Sequence, residues 1–181
     1  TISAHQGKFI ISRSEASVLK ELDSIAAMPD FRGTVTDLGG PSANMYRMGG
    51  KDEKICYQCK RASCAYPSIC KNLNTDHSPL LRLYETARKH PDIKHCYIGS
   101  GIRYDLCLND THDPHINQIN KQYLETVIRY HVSGRFKVAP EHASPQVLQI
   151  MRKPSFVLFK QLKKFFDDIN QKYKLKEQII P

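Results

Sequence analysis

The sequence predicts an α/β fold with parallel strands. Three observations carry that expectation. Apolar residues recur at helical spacing in several stretches, and short β-branched or apolar stretches fall between them. Each strand-like stretch runs into a glycine-rich or polar loop. The chain, at 181 residues, is long enough to bury one sizeable core. Strands separated by helices pair in parallel through right-handed crossovers, and ligands gather at their carboxyl ends.

Taken in order, Phe9-Ile10-Ile11 reads as a short strand. Ser12 or Ser14 can cap the helix that follows, and Ser12 with Glu15 fits a capping box. Val18, Leu19, Leu22, Ile25 and Ala26 form that helix's apolar face, and Pro29 ends it. Thr34 to Leu38 is a buried strand leading into Gly39-Gly40-Pro41-Ser42. Glycines there let backbone approach a ligand, though a plain turn would use the same residues. Residues 43–77 show little periodicity, and so long a loop calls for function or a metal to organise it. Ser78-Pro79 opens a helix carrying Leu80, Leu83, Tyr84 and Ala87. Lys94 to Ser100 is the next strand, then a helix marked by Ile116, Ile119, Tyr123, Val127 and Ile128. Arg135 to Ala139 is a third strand, with Pro140-Glu141-His142 beyond it. A short helix runs from Ser144-Pro145 to Met151. Ser155 caps a longer one with Phe156, Phe159, Leu162, Phe165, Phe166 and Ile169 on its inner face. A fourth strand begins near Leu175. The loops Gly39–Ser42, Ser100–Arg103 and Pro140–His142 then share one rim.

The segment from Cys56 to Cys70 carries four cysteines, Cys56, Cys59, Cys64 and Cys70, spaced C-x2-C-x4-C-x5-C. Such thiols suit a tetrahedral zinc or an iron–sulfur cluster. Two disulfides, or unligated thiols, are the alternatives. No stretch reads as a signal peptide or reaches the roughly 20 apolar residues that span a membrane. A cytoplasmic, reducing setting is therefore expected, which disfavours disulfides. The net charge of +9 admits nucleic acid as a partner. A modest lysine cluster (160, 163, 164, 172, 174 and 176) reads rather as a solvated helix face, and no aromatic-rich RNA-binding signature accompanies it.

Several long stretches resemble the catalytic core of the YgiQ-type radical SAM proteins. They are Arg32 to Tyr46, Cys59-x4-Cys64-x5-Cys70, Asn74 to Leu80, Ser100 to Leu106, His131 to Gly134, Lys137 to His142 and Met151-x-Lys153-Pro154. The resemblance covers essentially the whole chain. It implies a partial (βα) barrel of the TIM-barrel-like type, parallel-stranded and open. On this reading residues 1–181 are a single-domain piece of that core, with a Cys-rich insertion at about 45–77. Ile179-Ile180-Pro181 would start a further barrel strand, and an unpaired sheet edge would invite self-association.

The chemistry implied is reductive cleavage of S-adenosylmethionine by a [4Fe–4S] cluster, giving a 5′-deoxyadenosyl radical that attacks a substrate the sequence does not identify. The family's C-x3-C-x2-C motif is not in this sequence; the resemblance places it directly before Thr1. The piece alone is accordingly expected to be inactive. The four clustered cysteines do not match that motif and are expected to hold zinc or an auxiliary iron–sulfur cluster. Gly39, Gly40 and Pro41 resemble the superfamily's Gly-Gly-Glu-Pro motif without its glutamate, so only the backbone role toward the methionyl group carries over. Ser100, Arg103, Lys137 and Glu141 are candidate cofactor contacts on later strand ends. The competing expectation is a zinc-stabilised basic module that binds nucleic acid.

Overall fold

A computed structural model describes residues 9–40 and 42–181. The elements, in chain order, are α1 (Glu15–Ala26), β1 (Thr34–Val35), α2 (Glu53–Gln58), α3 (Ser78–Arg88) and β2 (His95–Cys96). They continue with α4 (Asp105–Leu108), α5 (Pro114–Tyr130), β3 (Arg135–Lys137), α6 (Pro145–Ile150), α7 (Phe156–Tyr173) and β4 (Gln178–Ile180).

The helices begin where side chains can satisfy their free N–H groups. Ser14 Oγ accepts from Ser17 N at 3.2 Å, Asp113 Oδ1 from His115 N at 2.9 Å, and Ser155 Oγ from Val157 N at 3.3 Å. Pro at the first turn favours α3, α5 and α6. Ser12 does not cap α1. Its hydroxyl instead accepts from Arg47 N at 2.8 Å, tying the start of the chain to a distant loop. Phe9–Ile11 forms no strand, and Ile11 is 94% exposed. Thr1–Lys8 and Pro41 lie outside the described residues.

The strands are shorter than the sequence suggests, and they form two parallel pairs rather than one four-stranded sheet. Thr34 pairs with His95 and Val35 with Cys96. Arg135, Phe136 and Lys137 pair with Gln178, Ile179 and Ile180. Gly33 and Gly134, each just before a strand, have φ of +86° and +90°. Only glycine adopts such angles freely. The turn they make aims each carbonyl at the neighbouring strand: Gly33 O accepts from His95 N, and Gly134 O from Gln178 N. Two bonds stitch the pairs together, Ile98 N to His131 O at 2.9 Å and Ile102 N to Lys137 O at 3.3 Å.

The core lies between these strands and α3, α5 and α7. Tyr84, Tyr123, Leu124 and Leu162 are completely buried, with Val127, Ile128 and Phe166 at 1% exposure. The Phe136 and Phe166 rings stack with centroids 5.6 Å apart, joining β3 to α7. A smaller cluster of Leu22, Val35, Ala87, Ile93 and Cys96 holds α1 against the first pair. Among the described residues no helix is long and apolar enough to cross a membrane.

Candidate functional site

Where β1 and β2 end, a cleft of about 650 Å³ opens against α1. Leu22, Ile25, Leu38 and Leu83 give it apolar walls, and Gly39 and Gly40 line its mouth. Asp37 organises that mouth. Its carboxylate accepts from Gly99 N at 2.9 Å and from Ser100 Oγ at 2.8 Å, so one side chain joins the loops after β1 and β2. Leu38 N donates to Tyr97 O at 2.8 Å, continuing the strand pairing past Val35.

The two glycines have opposite surroundings. A Cβ on Gly39 would sit 2.6 Å from Asp37 Oδ1 and 2.9 Å from Ser100 Oγ, too close for either atom to stay where it is. A Cβ on Gly40 would meet nothing within 4 Å. Gly39 is therefore required by packing, whereas Gly40 presents bare backbone to open space.

The remaining rim residues are partly spoken for. Arg103 Nε donates to Asp105 Oδ1 at 3.1 Å, so its guanidinium is turned onto the start of α4. Its backbone N–H donates to Asn44 Oδ1 at 2.8 Å. Lys137 is exposed, at the end of β3. Glu141 has a φ of +67° and accepts an ion pair from Lys153 at 2.8 Å. It lies near enough to Tyr104 to add to the burial and the Asp105 charge that push that phenol up to about 12. Ser100 thus reaches the cleft mouth only through its bond to Asp37, and neither it nor Arg103, Lys137 or Glu141 lines the cleft.

The sequence reading missed a buried polar chain beneath this rim. His77 is 1% exposed, and its Nδ1 lies 2.6 Å from Asn120 Oδ1. Its Nε2 lies 3.2 Å from Asn44 Nδ2 and 3.5 Å from Cys107 Sγ. Nδ1 therefore carries the proton that Asn120 accepts, and Nε2 accepts from Asn44. Burial depresses the His77 pKa, and keeps the ring neutral, against the opposing bond from Asn120. Burial, reinforced by Asp105, pushes the Cys107 thiol far up, so it is inert packing rather than a nucleophile. The signal in the sequence was polar residues inside helical stripes: Asn120 falls on the same face of α5 as Tyr123, Leu124 and Val127. Asn44 and His77 sit in loops, where no periodicity marks burial.

The cysteine segment lies apart from the cleft. It is not wholly irregular, because Asp52 caps α2 by accepting from Lys54 N at 2.9 Å. Cys64 is exposed, and Cys56, Cys59 and Cys70 are half-buried. They share one neighbourhood: burial first, and then Cys70, Cys56 and Cys59, raise the pKa of Cys64. Among the described residues, however, no three His, Cys, Asp or Glu side chains already stand as a metal-ligand set. Much of the lysine cluster is paired on the helix surface, Lys163 with Asp167, Lys164 with Asp168 and Lys172 with Glu125.

The chain is similar over its whole length to several proteins carrying the name UPF0313 protein. It is 56% identical to one from Bacteroides thetaiotaomicron across 181 residues, all of this chain and 29% of that relative. Identity is 54% to one from Porphyromonas gingivalis, again across the whole chain and 28% of the relative. A relative from Methanocella arvoryzae is 42% identical over 99% of the chain and 28% of its own length. The chain therefore spans under a third of the relatives it matches. No family model matches the sequence, and no solved structure matches it.

Proposed function

We propose that this chain forms the S-adenosylmethionine-binding rim of a radical SAM enzyme whose remaining parts lie in a longer polypeptide. The observation that carries the reading is Gly40. Its backbone faces open space at the mouth of a 650 Å³ cleft, at the carboxyl ends of parallel strands. A cradle that any Cβ would begin to fill suits a ligand that is gripped by main-chain groups. The apolar walls suit the non-polar parts of such a ligand, and the Asp37–Ser100 bond ties the loops after β1 and β2 together at the mouth.

The residues present fit the sulfonium cofactor better than they fit its cluster. Gly39 and Gly40 would hold the methionyl end through backbone groups. Ser100 lies beside Gly39, whereas Arg103 and Glu141 would have to leave Asp105 and Lys153 to reach a ligand, and Lys137 is exposed at the end of β3. When bound, S-adenosylmethionine supplies the carbon that becomes the radical on one-electron reduction. The sequence has no C-x3-C-x2-C, and none of the four clustered cysteines lines the cleft. The chain's own part is to bind, orient and exclude water.

The test is binding in the full-length protein. Gly40→Leu should weaken S-adenosylmethionine by about tenfold or more, because the side chain takes up ligand space. Gly40→Ala should lose less, and both should keep the wild-type melting temperature. Release of 5′-deoxyadenosine under a strong reductant should fall in parallel. Unchanged affinity in Gly40→Leu would remove this reading.

A further inference from the structure

Residues 49–74 hold a defined path without burying a single residue. Such a segment lacks the apolar contacts that fix a chain elsewhere, and coreless segments of this size are ordinarily stapled by disulfides or metals. Three separate closures draw its cysteines together. Cys70 N donates to Cys64 O at 2.7 Å, and Cys59 N to Cys56 O at 3.2 Å. Gly50 bridges Leu73, and at the next residue Asn74 N donates to Gly49 O at 2.8 Å. That bridge brings Asn72 to Cys56, whose Sγ accepts from Asn72 Nδ2 at 3.2 Å. Cys59 Sγ likewise accepts from Arg61 N at 3.4 Å. N–H donors aimed at sulfur stabilise thiolate charge. Arg61 turns its guanidinium inward onto the carbonyls of Ser63, Tyr66 and Ser68, closing the loop between Cys59 and Cys70.

We propose that Cys56, Cys59, Cys64 and Cys70 close on one zinc ion as a structural tetrathiolate site. The thiols share one neighbourhood, and the segment has no buried core to resist the movement that sets them tetrahedrally. Each thiol gives its proton to solvent as its sulfur–zinc bond forms, leaving a centre of charge −2. The segment is suited to that charge, because Lys51, Lys54, Lys60, Arg61 and Lys71 outweigh Asp52 and Glu53 by three. No ligand position is left open, so the role is to staple and not to catalyse.

Gly50 supplies a way to test the geometry itself. A Cβ built on Gly50 runs into Cys56 Sγ. The Cys56 sulfur therefore occupies the space of a side chain at position 50, and a cysteine there could replace it. In the full-length protein, zinc content measured by mass spectrometry should fall by about one equivalent in Cys64→Ser and in Cys56→Ala. Adding Gly50→Cys to Cys56→Ala should restore it. Trypsin should cut after Lys54, Lys60, Arg61 and Lys71 about tenfold faster in Cys64→Ser, or after chelation, while cleavage within residues 78–181 stays unchanged. Equal zinc in wild type and Cys64→Ser would overturn the proposal. Iron and sulfide bound by the same four cysteines would overturn zinc as the occupant. S-adenosylmethionine binding is a separate readout, so loss of one assignment leaves the other standing.

Discussion

From Leu80 to Ile169 the chain repeatedly buries large side chains, and Tyr84, Tyr123, Leu124 and Leu162 lose all their exposure. From Gly49 to Asn74 it buries none. The first region is held by the expulsion of water from apolar surface, which is non-directional and tolerates sequence change of similar volume. The second is held by directed bonds: Asn72 to Asp52 and Cys56, Arg61 to three carbonyls, and backbone closures between cysteines. Directed bonds in water each contribute only about 1 kcal/mol. A segment built from them is the part of the molecule that a bound ion can most easily tighten.

The widest gap between the regions should appear on truncating a core aromatic. Phe166→Ala should cost about 3–5 kcal/mol in urea denaturation, because it leaves a cavity beside Phe136. Tyr57→Ala, at 69% exposure in the cysteine segment, should change stability by under about 0.5 kcal/mol. Comparable losses would break the distinction.

His77 comes next, since it stands where the segment meets the core. His77→Ala should cost roughly 2–4 kcal/mol through lost packing and an orphaned Asn120 Oδ1. The same residue gives a pH dependence. Burial lowers the pKa of His77 and of His131 from the ordinary 6.5. Above that value both rings are neutral in folded and unfolded chains, and the stability is fully present. As pH falls below 6.5 the unfolded chain takes up protons first, and stability drains away toward the folded pKa. The urea midpoint should therefore fall between about pH 7 and pH 5.5, and His77→Gln should flatten that slope. A midpoint that rises over this interval would contradict the assignment of neutral buried rings.

Within the rim the contrast is between neighbours. Gly39→Ala should cost about 1–3 kcal/mol, since Asp37 or Ser100 must move. Gly40→Ala should be nearly silent in the same melt. Smallest of the set, Ser14→Ala should cost about 1 kcal/mol, as the loss of an N-cap does. Ser12→Ala should leave the helix content of α1 untouched, because its hydroxyl serves Arg47 instead.

Much of the fold was legible from residues alone. The helices α1, α3, α5, α6 and α7 follow from apolar spacing, prolines at first turns and caps at Ser14 and Ser155. Those signals are local, so they survive in one dimension. The lengths of the strands did not survive, because a strand exists only where a partner's N–H and C=O groups match it. Thr34 to Leu38 meets such a partner regularly for two residues. Nor was α2 visible, for its six residues bury nothing and leave no periodic trace.

At the candidate site the sequence by itself named the glycine pair, the rim loops and the four cysteines, because glycine freedom and thiol chemistry belong to residue types. Tertiary structure decided the rest. It made Gly39 a packing necessity and Gly40 an open cradle, although the two are chemically identical. It turned Arg103 onto Asp105 and Glu141 onto Lys153, away from the cleft. It set Asp37 across two loops that lie 62 residues apart in the chain. Each of these depends on which distant atoms arrive within about 3 Å, a distance that only the packed chain defines.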